Sequence, residues 1–306
     1  GGGRVMRSVV SPVVVALGNF DGVHLGHQAV IRCAVAVGRE RGLRTLAATF
    51  DPHPRAVLWP GNEPKLLTTL EVRRELLLGC GVDEVHAIRF DREISRKSPW
   101  EFVQEILIGE LGAAVVVVGE TFRFGYRASG DVKELERCMR QAGGEAYAVP
   151  ISHALGEDIS STRIRSLLRN GEACEAARLL GRPYLLRGEV VEGDMRGRQL
   201  GFPTANVLPD ERVLVPGNGV YAGYVRVGED WFGACTNVGT APTFERLESR
   251  VEAYLLGYQG DLYGEVVDVT FVEALRPEKR FSGIVELKEQ IARDVEKTRR
   301  LVGEGV

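Results

Sequence analysis

Two histidines three residues apart, His24 and His27, stand where the chain changes from an apolar run to a helical pattern. The run 13–17 predicts a β-strand, the segment 18–22 predicts a tight turn, and the periodic apolar residues that follow predict a helix. The first turn of a helix carries unpaired N–H groups and a partial positive charge, so it attracts phosphate. Because the imidazoles add donors and Gly26 lets an anion approach the backbone, the segment predicts a nucleotide site without a Walker lysine.

Two other interpretations of the histidine pair stay open. Histidines at positions i and i+3 can bind zinc, but a zinc site usually needs a third ligand, and the remaining histidines are His53, His86 and His153. No Cys-x-x-Cys motif accompanies them. The two imidazoles could also be structural. Phosphate binding is therefore the favoured hypothesis among three.

Composition narrows the class of protein. The 306 residues are enough for two domains with separate cores. A net charge of -3 and the absence of a basic stripe disfavour nucleic acid as a partner. The longest apolar runs, 13–17 and 113–118, are far shorter than the roughly 20 residues of a membrane helix. Five cysteines without paired spacing are typical of reduced thiols, so we expect a cytoplasmic enzyme with no membrane partner.

The pattern of secondary structure changes near Arg182 and Pro183. Before that point β-rich runs alternate with helical periodicity, which predicts an α/β fold with a doubly wound parallel sheet and a ligand crevice at the carboxyl ends of its strands. After it, short strands separated by Gly, Pro and Asn predict an antiparallel β-barrel with a closing helix. We therefore predict two domains, 1–182 and 183–306. The predicted strands of the first half are 13–17, 45–50, 85–89, 114–118 and 146–149. The predicted apolar stripe of the closing helix is Ile284, Leu287, Ile291, Val295 and Val302.

Three turn segments of the first half, 18–22, 51–54 and 119–125, follow predicted strands. Because parallel strands end at the same edge of a sheet, these turns should converge on one pocket. The later segment 159–165 places Ser and Thr ahead of an apolar run, which is a helix N-cap signature. Its hydroxyls, its N–H groups and an arginine could bind a triphosphate, although a plain capped surface helix explains the same residues.

In this order the motifs resemble the bacterial bifunctional riboflavin kinase/FMN adenylyltransferases, or FAD synthetases. The resemblance rests on Gly-x-Phe-Asp-Gly-Val-His-x-Gly-His from Gly18, Thr-Phe-Asp-Pro-His-Pro from Thr49, Phe-Arg-Phe-Gly from Phe122 and Ser-Ser-Thr-x-Ile-Arg from Ser160. In the second half it rests on Gly-x-Pro-Thr-Ala-Asn from Gly201, and it continues through 237–244 and 250–253. It implies a nucleotidyltransferase domain followed by a riboflavin kinase barrel, with riboflavin, FMN and ATP as substrates, FAD as product and Mg²⁺ as cofactor.

For the first half, the resemblance implies that the FMN phosphate attacks the α-phosphorus of ATP and that His24 and His27 stabilise the developing charge. Thr121 stands where relatives commonly carry Asn or Asp, and its hydroxyl reaches less far than an amide. The implied ATP-binding residues are Gly18, Phe20, Asp21, Gly26, Ser161, Thr162 and Arg165. The implied flavin-binding residues are Pro52, Pro54 and Phe124, although the prolines could equally serve only to stiffen a loop.

For the second half, the resemblance implies that Thr204 supplies a hydroxyl to Mg²⁺ and that Glu252 takes the proton from the ribityl 5′-hydroxyl. Glu252 alternates with Val251 and Ala253, and from spacing alone a solvent-facing carboxylate would be the favoured interpretation. The implied ATP-binding residues are Gly193, Arg196, Gly201, Pro203 and Asn206. Arg276 and Phe281 are predicted to border the flavin.

Two alternatives to a bifunctional enzyme remain. The barrel could be a catalytically silent, flavin-binding regulatory module beside an active nucleotidyltransferase, or the whole chain could sense flavin or nucleotide without turnover. The joint presence of Thr204, Asn206 and Glu252 disfavours the silent barrel. The presence of both His24 and His27 disfavours the sensor.

Overall fold

The computed structural model describes residues 11–150, 159–193, 201–242 and 247–303. These residues form two compact units. The first contains the described residues up to Pro64 together with Leu70–Ser160, and the second contains Lys65–Thr69 and the described residues from Ser161 onward. Two helices that precede the predicted boundary at 182/183 thus belong to the second unit, and that boundary stays a prediction.

The first unit is built on five parallel strands in the order β3-β2-β1-β4-β5. The central strands are apolar and fully buried; Val14, Val15 and Ala16 each have 0% exposure. Strand order reverses at β1, whose neighbours β2 and β4 lie on either side, and a crevice forms at the carboxyl ends of strands at such a point. The predicted doubly wound sheet is confirmed. Its strands are β1 (Val13–Leu17), β2 (Arg44–Asp51), β3 (Glu84–Arg89), β4 (Ala113–Gly119) and β5 (Glu145–Val149).

Helices cover the sheet on both faces, because each face carries its own cluster of buried apolar side chains. The short helix α2 is absent from the sequence-based prediction, since none of its residues is buried and it has no apolar stripe to detect. It begins with Pro54 at its first turn, next to the N-cap residue His53, whose ring accepts a hydrogen bond from the Arg55 N–H. The helices are α1 (Leu25–Arg41), α2 (Pro54–Leu58), α3 (Leu70–Gly79), α4 (Pro99–Glu101, continuing as the π-helical segment Phe102–Glu110) and α5 (Val132–Gln141).

The second unit is a closed antiparallel barrel preceded by two helices and followed by one. Six strands pair in the order β11-β6-β7-β10-β9-β8, and β11 also pairs with β8, which closes the ring. The predicted barrel with a closing helix is confirmed. The strands are β6 (Tyr184–Val191), β7 (Ala205–Pro209), β8 (Gly219–Val227), β9 (Asp230–Pro242), β10 (Leu247–Leu255), β11 (Val266–Phe271) and β12 (Glu273–Arg276). The helices are α6 (Ser161–Arg169), α7 (Ala173–Leu180) and α8 (Ile284–Val302).

A buried ionic cluster lies at the seam where β11 joins both β6 and β8. Asp268 on β11 is only 2% exposed, and its carboxylate accepts hydrogen bonds from Arg187 Nε at 2.7 Å and Arg226 Nη2 at 2.5 Å. A Cβ at Gly223 would lie 1.8 Å from the Thr270 carbonyl oxygen, so only glycine lets β8 approach β11 this closely. The polar face of β11 is therefore covered by paired guanidinium groups rather than by solvent.

Helix α8 packs on the barrel through its middle and its end. Val295 and Val302 of the predicted stripe are buried, and Asp294 pairs with Arg276 Nη2 at 2.8 Å. Ile284 is 71% exposed, so its assignment to the buried stripe is wrong. The residue stands at the first position of the helix, where no element covers it among the described residues. Amphipathic periodicity extended the stripe one turn beyond the packed part of the helix.

The seam cluster predicts a stability effect. Asp268→Asn should lower the free energy of unfolding of the second unit by about 3 kcal/mol, because it leaves two guanidinium groups without their buried counter-charge. Urea unfolding followed by tryptophan fluorescence measures it, since Trp231 lies 5.7 Å from the Arg226 guanidinium. Asp210→Asn is the control: Asp210 forms an exposed pair with Arg212 and should change the value by less than about 1 kcal/mol. Equal effects of the two substitutions would contradict the role given to the seam.

Candidate functional site

The predicted turns of the first unit meet at one cavity. It has a volume of about 970 Å³ and lies at the carboxyl ends of the parallel strands. Segments 18–20, 53–54 and 119–125 contribute to its wall, apart from Glu120. The expectation that separate motif-bearing turns converge on one pocket is therefore confirmed.

The two histidines are fixed by the start of α1. His24 is the N-cap residue, and its Nδ1 accepts a hydrogen bond from the His27 N–H at 3.3 Å. The two rings stack with their centroids 3.5 Å apart and their planes 16° apart. His27 lines the cavity, whereas His24 is 2% exposed and lies behind it. The pair therefore presents one imidazole to the cavity, and the other contacts it from behind.

Some residues of the glycine-containing turn before α1 line the cavity, and others are buried beneath it. Gly18 and Phe20 line the cavity, and the Phe20 ring meets the His27 ring edge-on at 5.4 Å. Asp21 and Gly26 are buried and do not belong to the wall. The predicted contact of Asp21 and Gly26 with ATP stays a prediction, since the structure assigns them first to the scaffold under the turn.

An apolar part of the same wall suits a flat aromatic ligand. Pro54 and Phe124 belong to it as predicted, and Pro52 does not. Phe124 is 6% exposed and packs between Phe102 at 5.8 Å and Phe122 at 5.9 Å. Aromatic surfaces of this kind bind planar rings by stacking and by exclusion of water.

Five arginines line the cavity: Arg55, Arg92, Arg96, Arg123 and Arg127. Among the described residues, no carboxylate lines it. The set as a whole is not evident in the sequence, because its members are far apart in the chain and the net charge of -3 hides a local excess of cations. The one available signal was Arg123, which lies inside a quoted motif. A concave wall whose lining arginines are not offset by a lining carboxylate, among the described residues, attracts polyphosphate.

Thr121 also lines the cavity, in the turn after β4. The residue is exposed to solvent. The side chain occupies the expected place, and its contact with substrate stays a prediction.

Helix α6 begins at Ser161, so the predicted N-cap signature of 159–165 is confirmed as a helix start. Ser161 is half-buried and Thr162 is exposed, whereas Arg165 is buried and its Nε donates a hydrogen bond to the Lys65 carbonyl at 2.7 Å. All three residues belong to the second unit. Their part in ATP binding stays a prediction.

On the barrel, three polar side chains share one row across neighbouring strands. Glu252 on β10 pairs in register with Asn206 on β7 and with Asn237 on β9. Paired residues of antiparallel strands point to the same face, so the carboxylate stands between two amides. Val251 and Ala253 are buried on the opposite face, and the Glu252 side chain is 26% exposed. Asn237 is the member of this row that the sequence-based site lacks.

The loop before this row approaches it closely. A Cβ at Gly193 would lie 1.9 Å from the Asn206 amide nitrogen, so the backbone of Gly193 packs directly on that amide. Gly201, Pro203 and Thr204 lead into β7, with Thr204 half-buried. Arg196 lies outside the described residues, and its predicted role remains untested.

The two residues predicted to border a flavin in the second unit lie at the start and end of the connection to α8. The Arg276 guanidinium pairs with Asp294 and lies 5.6 Å from the centroid of the Phe281 ring. Lys279 approaches the same ring at 5.5 Å. This arrangement anchors the connection to α8, and contact with flavin stays a prediction.

No group of three or more His, Cys, Asp or Glu side chains could hold a metal ion in the part of the chain that the structure describes. None of the described helices is both long and apolar enough to span a bilayer.

Comparison with known families divides the chain in two. The family model of FAD synthetase matches residues 7–163, and the family model of riboflavin kinase matches residues 180–302. The first match contains the cavity and its histidines. The second contains the barrel and the row around Glu252.

Whole-chain relatives carry both parts. A protein from Listeria monocytogenes named bifunctional riboflavin kinase/FMN adenylyltransferase is 39% identical over 290 residues, which cover 94% of this chain and 91% of the relative. An Escherichia coli protein of the same name is 37% identical over 291 residues, covering 95% and 93%. A Bacillus subtilis protein of that name is 38% identical, covering 92% and 90%. Among solved structures, a crystal structure of a Streptococcus pneumoniae protein described as a macrolide-efflux protein is 32% identical, with a TM-score of 0.87 and 94% of each chain covered.

The reactivity of Cys235 tests whether α8 covers the barrel face that carries this cysteine. It lies two residues before Asn237 on β9 and packs with Val295 of α8, and burial raises the pKa of its thiol to about 11. At pH 8 only about one such thiol in a thousand is ionised, so iodoacetamide should label Cys235 at least ~100-fold more slowly than the exposed Cys174. Mass spectrometry of the labelled protein measures both rates. Similar rates would show that α8 does not cover the barrel as described.

Proposed function

Because the chain belongs to the family of bifunctional riboflavin kinase/FMN adenylyltransferases, it uses ATP to convert riboflavin to FMN and FMN to FAD, and we propose which residues carry each step. Adenylyl transfer takes place in the cavity of the first unit. Phosphorylation takes place on the barrel face that carries Glu252. The observation that supports the first assignment most directly is the convergence of His27, in the first turn of α1, and five arginines on one cavity.

In adenylyl transfer, a phosphate oxygen of FMN forms a bond to the α-phosphorus of ATP, and the bond from that phosphorus to the β-phosphate oxygen breaks. The electron pair leaves with pyrophosphate. The nucleophile is already an anion, so no base is required. Catalysis then depends on fixed positive groups where charge develops, and His27 together with the first N–H groups of α1 supplies them. His24 orients His27 through its ring stack and its N-cap hydrogen bond.

The two substrates place different demands on the cavity wall. The flavin ring fits the apolar part that includes Pro54 and Phe124, and the phosphates fit the arginines. Among these, Arg123 follows β4, the strand next to β1, and so comes from the turn adjacent to the histidine-bearing one. We assign to Ser161, Thr162 and Arg165 the β- and γ-phosphates of ATP, on the strength of their motif.

In the kinase step, Glu252 accepts the proton of the ribityl 5′-hydroxyl while that oxygen attacks the γ-phosphorus of ATP and ADP leaves. The two flanking amides keep the carboxylate in a polar setting, and Arg250 Nη1 lies 3.9 Å from one of its oxygens. The backbone of Gly193 packs on Asn206 of this row, and we assign Gly193, Gly201 and Pro203 to phosphate binding on the strength of their motif.

Mg²⁺ fits the oxygen donors of this face. The Thr204 hydroxyl and the Asn206 amide oxygen are hard ligands, and such sites hold Mg²⁺ with few protein groups. When bound, the ion neutralises charge on the transferring phosphate.

We also propose that the two chemistries occupy separable domains that meet near 182/183. Each unit has its own buried core, and helices α6 and α7 lie mostly between the two segments that the family models match. The use of ATP and the five free thiols support a cytoplasmic location.

The histidine assignment predicts a selective loss. His27→Ala should lower the rate of FAD formation from FMN by about 100- to 1000-fold, because it removes a donor from a developing charge. Riboflavin phosphorylation by the same chain should continue. Chromatography of FMN and FAD measures both activities. His86→Ala is the control, since His86 pairs with Glu110 away from the cavity wall. Parallel loss of both activities in a folded His27 variant would refute the assignment.

The kinase assignment predicts the reverse pattern. Glu252→Gln should lower FMN formation from riboflavin by about 100- to 10,000-fold, because the amide cannot accept the proton. FAD formation from added FMN should be unchanged. Glu189→Gln, an exposed carboxylate on β6, is the matched control and should keep both activities. Normal FMN formation by the Glu252 variant would make this residue an ordinary surface carboxylate.

A further inference from the structure

Arg73 is a buried arginine on α3 that no motif of the active site includes. Its side chain is 3% exposed, and it occupies the apolar stripe of its helix, three residues after Leu70 and four before the fully buried Leu77. Arginine is almost never this buried unless it is paired, because removing its charge from water is costly. Its partners therefore indicate what it does.

Three contacts of Arg73 connect the end of β2 with the turn that leads to α1. Its Nη2 is 3.7 Å from the Asp21 carboxylate, which is itself 2% exposed. Its Nη1 donates hydrogen bonds to the Thr49 hydroxyl at 3.1 Å and to the Phe50 carbonyl at 3.4 Å. The Thr49 hydroxyl in turn donates to the Asn19 carbonyl at 2.8 Å. Arg73 thus joins the end of β2 to both sides of the β1–α1 turn.

This turn has a backbone that needs such support. Phe20 has φ 50°, Gly22 has φ 86° and Val23 has φ 43°, so three of four consecutive residues adopt the left-handed region. For a β-branched residue such as Val23 this conformation is strained, and it persists only where surrounding contacts over-determine it. His24 follows directly as the N-cap residue and holds His27. Any relaxation of the turn therefore moves the histidine pair.

We propose that Arg73 is a positioning residue for adenylyl transfer: through Asp21 and Thr49 it holds the strained turn in the one geometry that places His27 against the substrate phosphates. This inference rests on the role proposed above for His27. Asp21 then acts from beneath the turn through Arg73 and not as a ligand of ATP, which agrees with its burial and its absence from the cavity wall.

The test compares Arg73→Met with Arg74→Met, the neighbouring exposed arginine on the same helix, in the full-length chain. Arg73→Met should lower kcat for FAD formation from FMN by about 10- to 100-fold while KM for FMN and for ATP change by less than about 3-fold, because a small misplacement of fixed donors affects the transition state most. Arg74→Met should match the unmodified chain. Riboflavin phosphorylation should be unchanged in both.

A second comparison separates positioning from simple stabilisation. In a His27→Ala background, Arg73→Met should lower kcat by less than about 3-fold more, because its effect passes through that histidine. Asp21→Asn, which keeps the size of the side chain, should reproduce the loss of kcat, and it carries the test if Arg73→Met fails to fold. A lower urea midpoint with unchanged kcat per folded molecule would overturn the proposal, as would equal losses in both backgrounds. Normal FAD formation by His27→Ala alone would instead refute the histidine assignment.

Discussion

The conformation of one turn constrains the first unit. Between the central strand β1 and helix α1, the chain must place three residues at positive φ and still bring His27, in the first turn of α1, to the cavity. Once this is done, the N-cap bond and the ring stack of the two histidines follow from local geometry alone. The cost of the turn is met by buried polar contacts from α3 and β2, elements that come later in the chain. An anion site of this kind depends on a helix start whose direction is fixed before any ligand arrives.

The two units prepare phosphate chemistry by different means. The first gathers positive groups from several turns into one cavity without a lining carboxylate among the described residues. The second aligns a carboxylate and two amides across three adjacent strands. The difference fits the nucleophiles: an FMN phosphate is already anionic and needs only stabilisation of charge, whereas a hydroxyl must lose its proton. On the proposed assignment, the barrel face requires a proton acceptor that the cavity of the first unit does not.

Buried ion pairs hold the frame around these sites. Asp268 closes the barrel by bridging arginines of two strands, and Asp294 holds α8 through Arg276. Each carboxylate is almost fully buried and has a hydrogen-bonded guanidinium partner, so loss of either partner would leave a charge without compensation. Such specific pairs define which strands meet and where the helix lies. Apolar contacts alone specify these positions less precisely.

Local patterns in the sequence determined the elements and their order. The strand 13–17 has the bounds that the sequence predicts, a helix follows the turn after it, and parallel strand ends bring the motif-bearing turns together. Periodicity could not locate α2, none of whose residues is buried. It also placed Ile284 in the stripe that packs on the barrel, although no element covers Ile284 among the described residues. Four of the five arginines and Arg73 emerge only in three dimensions, whereas Arg123 and Asn237 lie in motifs that do not by themselves reveal their place in a site. Their roles come from neighbours distant in sequence, and charge or burial at such positions depends on tertiary packing that no local pattern records.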